Sequence, residues 1–256
     1  MNALPTLPSL NYSQQPQLKS KTCEDCNQSF NYQALTWIGD REAFTPPCCP
    51  ECQRLRSFKI KQEQEAERAR RLEYERGRRA LDWCKTMCPP LYSQFDPAKL
   101  PCKPEIIQEV MGWQYGPRGL MLYGPTGLGK TRLAYLLLQR LYVDEGRWIM
   151  SFTPTQFTQE CIKQCLSEDG GASWFRELRE ANITFFDDFG RFKFSERVEA
   201  EIFNLFEARL SQRRPIILTT NFGGRTLRSR MSADYRDPFM RRLGEEFFDH
   251  IEFKAK

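Results

Sequence analysis

An α/β fold with a parallel sheet is predicted for most of this sequence, preceded by a small cysteine-rich module and a long charged helix. Three observations support the prediction. From Pro89 onward, short apolar runs alternate with helical patterns, and a glycine-rich loop connects one apolar run to a helix. Before residue 55, two Cys-x-x-Cys pairs lie among turn-forming residues. Strands that alternate with helices are typical of a parallel sheet covered by helices on both faces.

Length and composition restrict the class of protein. With 256 residues, the chain is long enough for one domain and a small accessory module. Its 28% charged and 40% hydrophobic residues are ordinary for a globular protein. No apolar run approaches the roughly 20 residues that span a bilayer, and the N-terminus lacks the features of a secretory signal. We therefore expect a cytoplasmic protein with no membrane partner.

The N-terminal part is predicted to contain a flexible tail followed by a zinc-binding module. Residues 1–20 are rich in Pro, Ser, Gln and Asn without a hydrophobic period, which is typical of a tail. Residues 21–55 hold the two cysteine pairs, and a reducing compartment favours metal ligation over disulfides. The predicted Zn²⁺ ligands are Cys23, Cys26, Cys49 and Cys52, with Cys48 as an alternative to Cys49. Such a zinc-ribbon-like module is expected to recruit a partner.

A long helix is predicted from about Gln53 to Lys85, and we assign residues 56–88 to this connecting segment. Acidic and basic residues recur three and four apart in it, which supports an exposed helix. A solvated connecting helix and a basic arm that touches nucleic acid or a partner helix both fit the pattern. Pro89 and Pro90 end the helix because proline lacks the amide donor. We expect a separate domain over residues 89–256.

Five strands are predicted in this domain. The apolar runs that predict them are residues 119–123, 147–152, 183–187, 215–220 and 250–253. Helical patterns lie near residues 130–143, 155–166, 172–181, 196–213 and 236–246. The chain ends immediately after the fifth run, so that a small C-terminal lid domain is not expected.

A phosphate-binding loop is predicted by the pattern Gly-x-x-x-x-Gly-Lys-Thr. Its residues are Gly124, Pro125, Thr126, Gly127, Leu128, Gly129, Lys130 and Thr131. The pattern follows an apolar strand and begins a helix, which is the context that it requires. Glycines let the backbone amides face phosphate oxygens at the helix N-terminus. Lys130 is expected to contact the β and γ phosphates of ATP, and Thr131 to offer its hydroxyl to Mg²⁺.

Polar residues follow two further strands. Asp187 and Asp188 end the third apolar run, and Asn221 follows the fourth. Asp187 is expected to hold Mg²⁺, directly or through water, and Asp188 to orient or deprotonate the attacking water. Asn221 would hydrogen-bond that water or the γ phosphate.

The domain from about Pro89 to the C-terminus resembles the AAA+ ATPases of the DnaC and IstB type, which are helicase loaders and transposition helper ATPases. The resemblance is carried by the loop from Gly124 to Thr131, by Asp187-Asp188-Phe189-Gly190, and by Thr219-Thr220-Asn221. The Asp-Asp-Phe-Gly form is the most telling, because most other AAA+ families place Glu at the second acidic position.

The resemblance implies roles for several residues. Asn221 would be sensor 1, and Arg242, in Met240-Arg-Arg-Leu243, would be the arginine finger that reaches the ATP of a neighbouring subunit. Arg241, Arg228 and Arg230 are alternatives, as is a solvated arginine-rich turn. Tyr92 and Phe95 match an aromatic linker beside the adenine pocket, although plain core packing fits them equally. An arginine supplied in trans makes hydrolysis depend on assembly, so a homo-oligomer on the partner or on DNA is expected.

The resemblance also implies a helix for single-stranded DNA, which residues 154–166 would supply. Lys163, Arg176 and Arg179 are the cations available there, and simple packing of this helix is the alternative. Three functions follow. The first is an ATP-dependent DNA replication accessory protein that loads or remodels a replicative helicase. The second is an IstB-type transposition helper that directs a transposase, and the third is an ATP-switched binding module with little turnover.

Overall fold

The computed structural model describes residues 18–33, 35–37, 41–44, 46–93, 96–191 and 195–255. Within the chain, two units are distinguished, Met1–Leu72 and Glu73–Lys256. Among the described residues, no helix has the length and apolar character needed to cross a membrane. The aromatic residue Phe95, predicted beside the adenine pocket, lies outside the described residues.

The first unit contains two antiparallel hairpins and the start of a long helix. Strand β1 (Leu18–Thr22) pairs with β2 (Ser29–Gln33), and β3 (Leu35–Trp37) pairs with β4 (Arg41–Phe44). Residues 18–20, predicted as the end of the tail, lie in β1, where consecutive polar residues form an exposed strand that hydropathy alone does not reveal. Residues 1–17 of the predicted tail lie outside the described residues.

Helix α1 (Pro50–Asp82) is 33 residues long, and none of its residues is buried. It begins earlier than the predicted start near Gln53, because Pro50 occupies the first helical position, where its missing N–H has no intrahelical partner to lose. Cys52 therefore lies in the first turn of this helix. A π-helical turn (Trp83–Met87) follows, and its Trp83 is buried in the second unit.

The second unit is built around a five-stranded parallel sheet, as the sequence predicts. Its strands are β5 (Gly119–Tyr123), β6 (Ile149–Phe152), β7 (Ile183–Phe186), β8 (Ile216–Thr220) and β9 (Phe248–Glu252). Their order across the sheet is β6-β7-β8-β5-β9, and every neighbouring pair is parallel. The carboxyl ends of all five strands therefore lie at one edge of the sheet.

Eight helices accompany this sheet among the described residues. They are α2 (Pro90–Ser93), α3 (Pro104–Gly112), α4 (Lys130–Val143), α5 (Pro154–Cys165), α6 (Ala172–Glu180), α7 (Glu196–Ser211), α8 (Gly224–Ser229) and α9 (Ala233–Arg242). A 3-10 turn covers Pro97–Lys99. The last helix lies earlier than the predicted residues 236–246, because its chain leaves the helix at Leu243.

Apolar clusters cover both faces of the sheet. Alternate residues of a strand point to opposite faces, so Leu120 and Leu122 of β5 lie in one cluster and Met121 in the other. In β7, Phe185 and Phe186 divide between the two clusters in the same way. This burial on both faces explains why the strands are nearly continuous apolar runs.

Arg209, on α7, is a fully buried charged residue that the sequence did not single out. Its guanidinium donates to five carbonyl oxygens, those of Leu178 (2.7 Å), Arg179 (3.5 Å), Ala181 (3.0 Å), Asn182 (3.1 Å) and Pro215 (2.9 Å). Burial lowers the pKa of Arg209 to about 10, so the side chain stays charged at neutral pH. Arg209 therefore ties α7 to the segments that lead into β7 and β8.

We expect Arg209→Met to lower the free energy of unfolding by about 3 kcal/mol or more, because several buried carbonyls lose their donor. Denaturant unfolding should show a lower midpoint with an unchanged slope. The control is Arg197→Met, an exposed residue on the same helix, which should change stability by less than about 0.5 kcal/mol. Equal midpoints for the two variants would contradict the role of Arg209.

Candidate functional site

The loop between β5 and α4 has backbone conformations that favour glycine. Gly124 has φ of 135° and Gly129 has φ of 86°. A Cβ atom on Gly124 would lie 2.6 Å from the carbonyl oxygen of Phe253, and one on Gly129 would lie 2.6 Å from Cδ2 of Leu100. Neither position has space for a side chain. The loop is therefore closely packed against Leu100, which precedes it in the sequence, and against Phe253, which follows it.

Lys130, the first residue of α4, is only 5% exposed. Its Nζ donates to the carbonyl oxygens of Gly124 and Pro125, both at 2.8 Å. Burial lowers the pKa of Lys130, and the nearby carboxylates of Asp188 and Asp187 oppose this shift. The ammonium group thus lies in the curve of the loop, where burial reduces screening by water and strengthens its attraction for anions.

Asp187 follows β7 directly and is 8% exposed. Its Oδ1 accepts hydrogen bonds from Oγ1 of Thr131 (2.7 Å) and from Oγ1 of Thr219 (2.6 Å). Burial raises the pKa of Asp187, and these two hydroxyls oppose that shift. Because Thr131 gives its proton to Asp187, the lone pairs of its oxygen remain available as ligands. Thr131 and Asp187, both predicted to hold Mg²⁺, are therefore in direct contact, and their oxygens are the donors that this ion prefers.

Asp188 has a left-handed backbone, with φ of 55°. Its Oδ1 accepts from Nδ2 of Asn221 (3.1 Å), and its Oδ2 accepts from a guanidinium nitrogen of Arg191 (3.2 Å). The structure thus brings Asn221 and Asp188 together, as their positions after neighbouring strands predict. Arg191 was missed, because no motif extends beyond Gly190 to mark it.

The predicted adenine-side aromatic Tyr92 packs inside the second unit. Its ring stacks on that of Tyr135 in α4, with centroids 5.0 Å apart and planes 19° from parallel. Burial raises the pKa of the Tyr92 hydroxyl, with smaller contributions from Asp187 and Asp188. Core packing, one of the two roles considered for Tyr92, is therefore observed in this structure.

The candidate finger arginines differ in their surroundings. Arg242 forms a two-point ion pair with Glu207 of α7, with one nitrogen–oxygen distance of 2.7 Å. Arg228 pairs with Asp237 at 2.6 Å. Arg230 donates to the carbonyl oxygens of Gly190 (3.2 Å) and Arg191 (3.1 Å), and its guanidinium lies over the ring of Phe222. Arg241 is exposed at the end of α9.

Helix α5 includes most of the segment predicted to meet single-stranded DNA. Thr153 caps its N-terminus, and Phe157 and Cys161 bury one face. On the opposite face, Ile162 is 55% exposed, and Leu166, just beyond the helix, is 83% exposed. Lys163 pairs with Glu160 at 3.2 Å, and this ion pair weakens the attraction of Lys163 for a polyanion such as DNA.

Four cysteines of the first unit form a compact cluster. The Sγ atoms of Cys23, Cys26, Cys49 and Cys52 all lie within 4.8 Å of one another. Those of Cys26 and Cys49 are 3.8 Å apart, and a tetrahedral zinc site with bonds of about 2.3 Å places neighbouring sulfurs about 3.8 Å apart. Against the effect of burial, backbone N–H donors lower the pKa of the Cys23 thiol to about 6, which favours the thiolate. The cluster therefore fits Zn²⁺.

Cys48 lies outside this cluster. Its thiol is fully buried and donates to Oδ2 of Asp25 (3.3 Å), whose other oxygen pairs with Arg56. Burial, followed by the contact with Asp25, raises the pKa of Cys48 to about 11, which disfavours the thiolate that a metal requires. Of the two ligand sets considered, the structure brings together the one that contains Cys49.

A family model and a curated relative both indicate similarity to the replication initiator DnaA. Residues 104–234, just over half of the chain, match the family described as the bacterial DnaA ATPase domain. The chromosomal replication initiator protein DnaA of Lactiplantibacillus plantarum is 31% identical over 118 residues, which cover 45% of this chain and 25% of that protein. This chain therefore spans only a quarter of the length of that curated relative.

Two solved structures show the same fold. The DnaC helicase loader aligns with a TM-score of 0.50 and 20% identity, over 59% of this chain and 86% of that one. Domain III of the Thermotoga maritima replication initiation protein DnaA aligns with a TM-score of 0.50 and 18% identity, over 63% and 69% of the two chains. The AAA+ prediction is confirmed, and the family match includes the phosphate loop, both aspartates and Asn221. The chain belongs to the family of the bacterial DnaA ATPase domain.

Proposed function

We propose that this chain is a Mg²⁺-dependent ATPase of DNA replication that loads or remodels a replicative helicase. The observation that carries the proposal is the meeting of five polar side chains at the carboxyl edge of the sheet: Lys130, Thr131, Asp187, Asp188 and Asn221. Membership of the DnaA ATPase family supports the nucleotide chemistry and the link to replication. The fold shared with a protein described as a helicase loader supports the partner class.

Each residue has a role in this proposal. The loop amides and Lys130 bind the triphosphate, and Thr131 and Asp187 hold Mg²⁺. When bound, Mg²⁺ would supply positive charge that neutralises the negative charge developing on the phosphates. Asp188 orients or deprotonates the attacking water, and Asn221 fixes the direction of the Asp188 carboxylate. An arginine of a neighbouring subunit, with Arg242 as the candidate, completes the site upon assembly.

The ion pair between Arg242 and Glu207 bears on this last role. A finger arginine must leave its partner in its own chain before it reaches a second nucleotide. The pair is partly exposed, with side chains 25% and 34% accessible, and pairs of this kind contribute about 1 kcal/mol or less. Arg242 can therefore leave Glu207 and bind a phosphate at a small cost in free energy, which is compatible with an assembly-dependent site.

An ATP-switched binding module with little turnover is the second candidate. The observation that favours it is that both oxygens of Asp188 are engaged, one by Asn221 and one by Arg191. A carboxylate whose two oxygens already accept hydrogen bonds has fewer lone pairs free to accept one from the attacking water. Slow hydrolysis would then serve to time the release of a partner.

The cysteine cluster is proposed to hold one Zn²⁺ in a recruiting module. Bound Zn²⁺ would act as a structural cross-link between the hairpin of β1 and β2 and the start of α1. The ligands come from both segments, with Cys23 and Cys26 in the turn between the strands and Cys49 and Cys52 at the helix start. A module stabilised in this way offers a surface for the helicase or for DNA, with single-stranded DNA also proposed to contact α5.

We expect Lys130→Ala to weaken ATP binding by roughly a hundredfold or more. Two charge-assisted contacts to phosphate oxygens contribute about 3 kcal/mol or more together, and each 1.4 kcal/mol is a factor of ten. Titration of each protein with a fluorescent ATP analogue in the presence of Mg²⁺ measures the effect. Lys85→Ala, which changes an exposed lysine remote in sequence from the phosphate loop, is the control and should bind as wild type does.

The same variant tests the partner. Wild-type protein should elute with the purified replicative helicase of its host in an ATP-dependent manner, whereas Lys130→Ala should not. Retention of a transposase in place of the helicase would favour the transposition-helper function. ATP-dependent binding of DNA with no helicase and no measurable turnover would favour the switch.

A further inference from the structure

Thr219 is a residue that joins the two acidic side chains of the site. We infer that its hydroxyl is a positioning group for both Asp187 and Asp188, an inference that rests on the ATPase function proposed above. The Thr219 side chain is fully buried on β8, in the strand next to β7. In this inference it acts through the two aspartates.

Three hydrogen bonds connect Thr219 to consecutive residues of the acidic turn. Its Oγ1 donates to Oδ1 of Asp187 at 2.6 Å and accepts from the backbone N–H of Asp188 at 2.8 Å. Its carbonyl oxygen accepts from the N–H of Phe189 at 2.7 Å. One threonine therefore holds residues 187, 188 and 189.

The direction of these bonds follows from the donors available. The amide of Asp188 can only donate, so the Thr219 oxygen must accept from it. The single hydroxyl proton is then free for Asp187, whose oxygen is the acceptor. The hydroxyl is thus fully used by the two neighbouring aspartates, and its orientation is determined by both of them.

This arrangement has a consequence for each aspartate. The Asp187 carboxylate is held between Thr219 on the sheet and Thr131 at the start of α4, so its direction is fixed from two sides. The Asp188 backbone adopts the uncommon left-handed conformation, which requires supporting contacts from the surroundings. Removing the Thr219 hydroxyl would take away one of the two hydroxyl donors of Asp187 and the side-chain acceptor of the Asp188 amide.

The neighbouring threonines do not share this role. Thr220 donates to the carbonyl oxygen of Phe189 at 2.7 Å. Thr184, fully buried on β7, donates to the carbonyl oxygen of Leu178 at 3.4 Å. Thr184 is therefore a matched control, because it is a buried threonine of the adjacent strand that bonds to a helix and not to an aspartate.

The test compares Thr219→Ser with Thr219→Ala in the full-length protein. Both variants lose the methyl group, and only Ser keeps the hydroxyl. Affinity for ATP is measured with Mg²⁺ and with EDTA, and kcat and KM are measured at saturating Mg²⁺. Groups that orient a metal ligand typically contribute 10- to 100-fold in metal affinity or activity. In Thr219→Ala, we expect the increase in ATP affinity caused by Mg²⁺ to be smaller by about this factor, and kcat to be lower by about the same factor. The affinity for ATP measured in EDTA should be unchanged.

Thr219→Ser should remain close to wild type in both measurements, and Thr184→Ser and Thr184→Ala should behave alike. If Thr219→Ala does not fold, Thr219→Val fills the same volume without the hydroxyl and replaces it. Equal Mg²⁺ responses and equal kcat for Ser and for Ala or Val would overturn the inference.

Hydrogen exchange separates this inference from the proposed function. Exchange of the Asp188 amide should be faster in Thr219→Ala than in Thr219→Ser, whether or not nucleotide is present. If wild-type protein gains no affinity for ATP from Mg²⁺, the proposed ATPase function fails. The exchange rates still decide whether Thr219 holds the turn, and equal rates in the two variants would refute it.

Discussion

Replacing Asp188 with asparagine should leave ATP binding close to that of the wild type and lower turnover by roughly 10²- to 10⁴-fold, the usual contribution of a general base. The amide of asparagine cannot take a proton from water. Asparagine also tolerates the left-handed backbone of this position better than most residues, and its side-chain oxygen can still accept from Asn221. The substitution therefore removes the charge and keeps the shape of the turn.

Turnover is measured as phosphate release at saturating ATP and Mg²⁺, and binding with the fluorescent analogue. Glu168→Gln, which removes an exposed carboxylate remote in sequence from the motifs, is the control and should hydrolyse ATP at the wild-type rate. Undiminished hydrolysis in both Asp188→Asn and Lys130→Ala would refute the site. Normal binding with turnover that is equally slow in wild type and Asp188→Asn would favour the switch.

Loss of the metal should have the largest effect on the first unit. Structural Zn²⁺ contributes about 10–16 kcal/mol of apparent binding free energy, which becomes folding free energy in a small module. We expect wild-type protein to carry about one Zn²⁺ per chain. Cys23→Ser should lose the ion, and residues 18–33 should become sensitive to protease while the ATPase unit stays folded. Metal analysis and limited proteolysis measure the two effects.

Cys48→Ser is the matched control, because serine can also donate to Asp25 and lies outside the cluster. It should retain the ion, whereas Cys49→Ser should lose it. The reverse result would support the alternative ligand set with Cys48. A metal-free protein whose first unit is folded would show that the cluster is not a zinc site.

The sheet was predictable because burial on both faces makes each of its strands an apolar run, and the phosphate loop has a characteristic spacing. Helices α3 and α8 were not predicted. Helix α8 has six residues and only Leu227 is buried, and α3 has nine residues with only Ile106 and Val110 buried. A helix as short as α8 has too little periodicity to be distinguished from a loop. Helix α3 is as long as α6, which was predicted, so its length does not explain why it was missed.

Contacts between distant segments could not be predicted either. The pair of Arg242 and Glu207 forms because α7 and α9 pack together, and no local pattern indicates which glutamate an arginine meets. The bonds of Thr219 depend on β8 lying beside β7, which only the strand order reveals. The Thr-Thr-Asn motif includes Thr219, but the motif predicts a role only for its last residue, Asn221.

The packing of Leu100 against Gly129 gives the phosphate loop a mechanical connection to the chain that enters the domain. Leu100 is 2% exposed, and Cys102 just after it bridges to Ala255 beyond β9. Because buried atoms are close-packed, Leu100 cannot be withdrawn without opening a void beside the glycine. A substitution that changes the volume of residue 100 would therefore alter the packing of Gly129, although Leu100 lies outside the phosphate-loop motif.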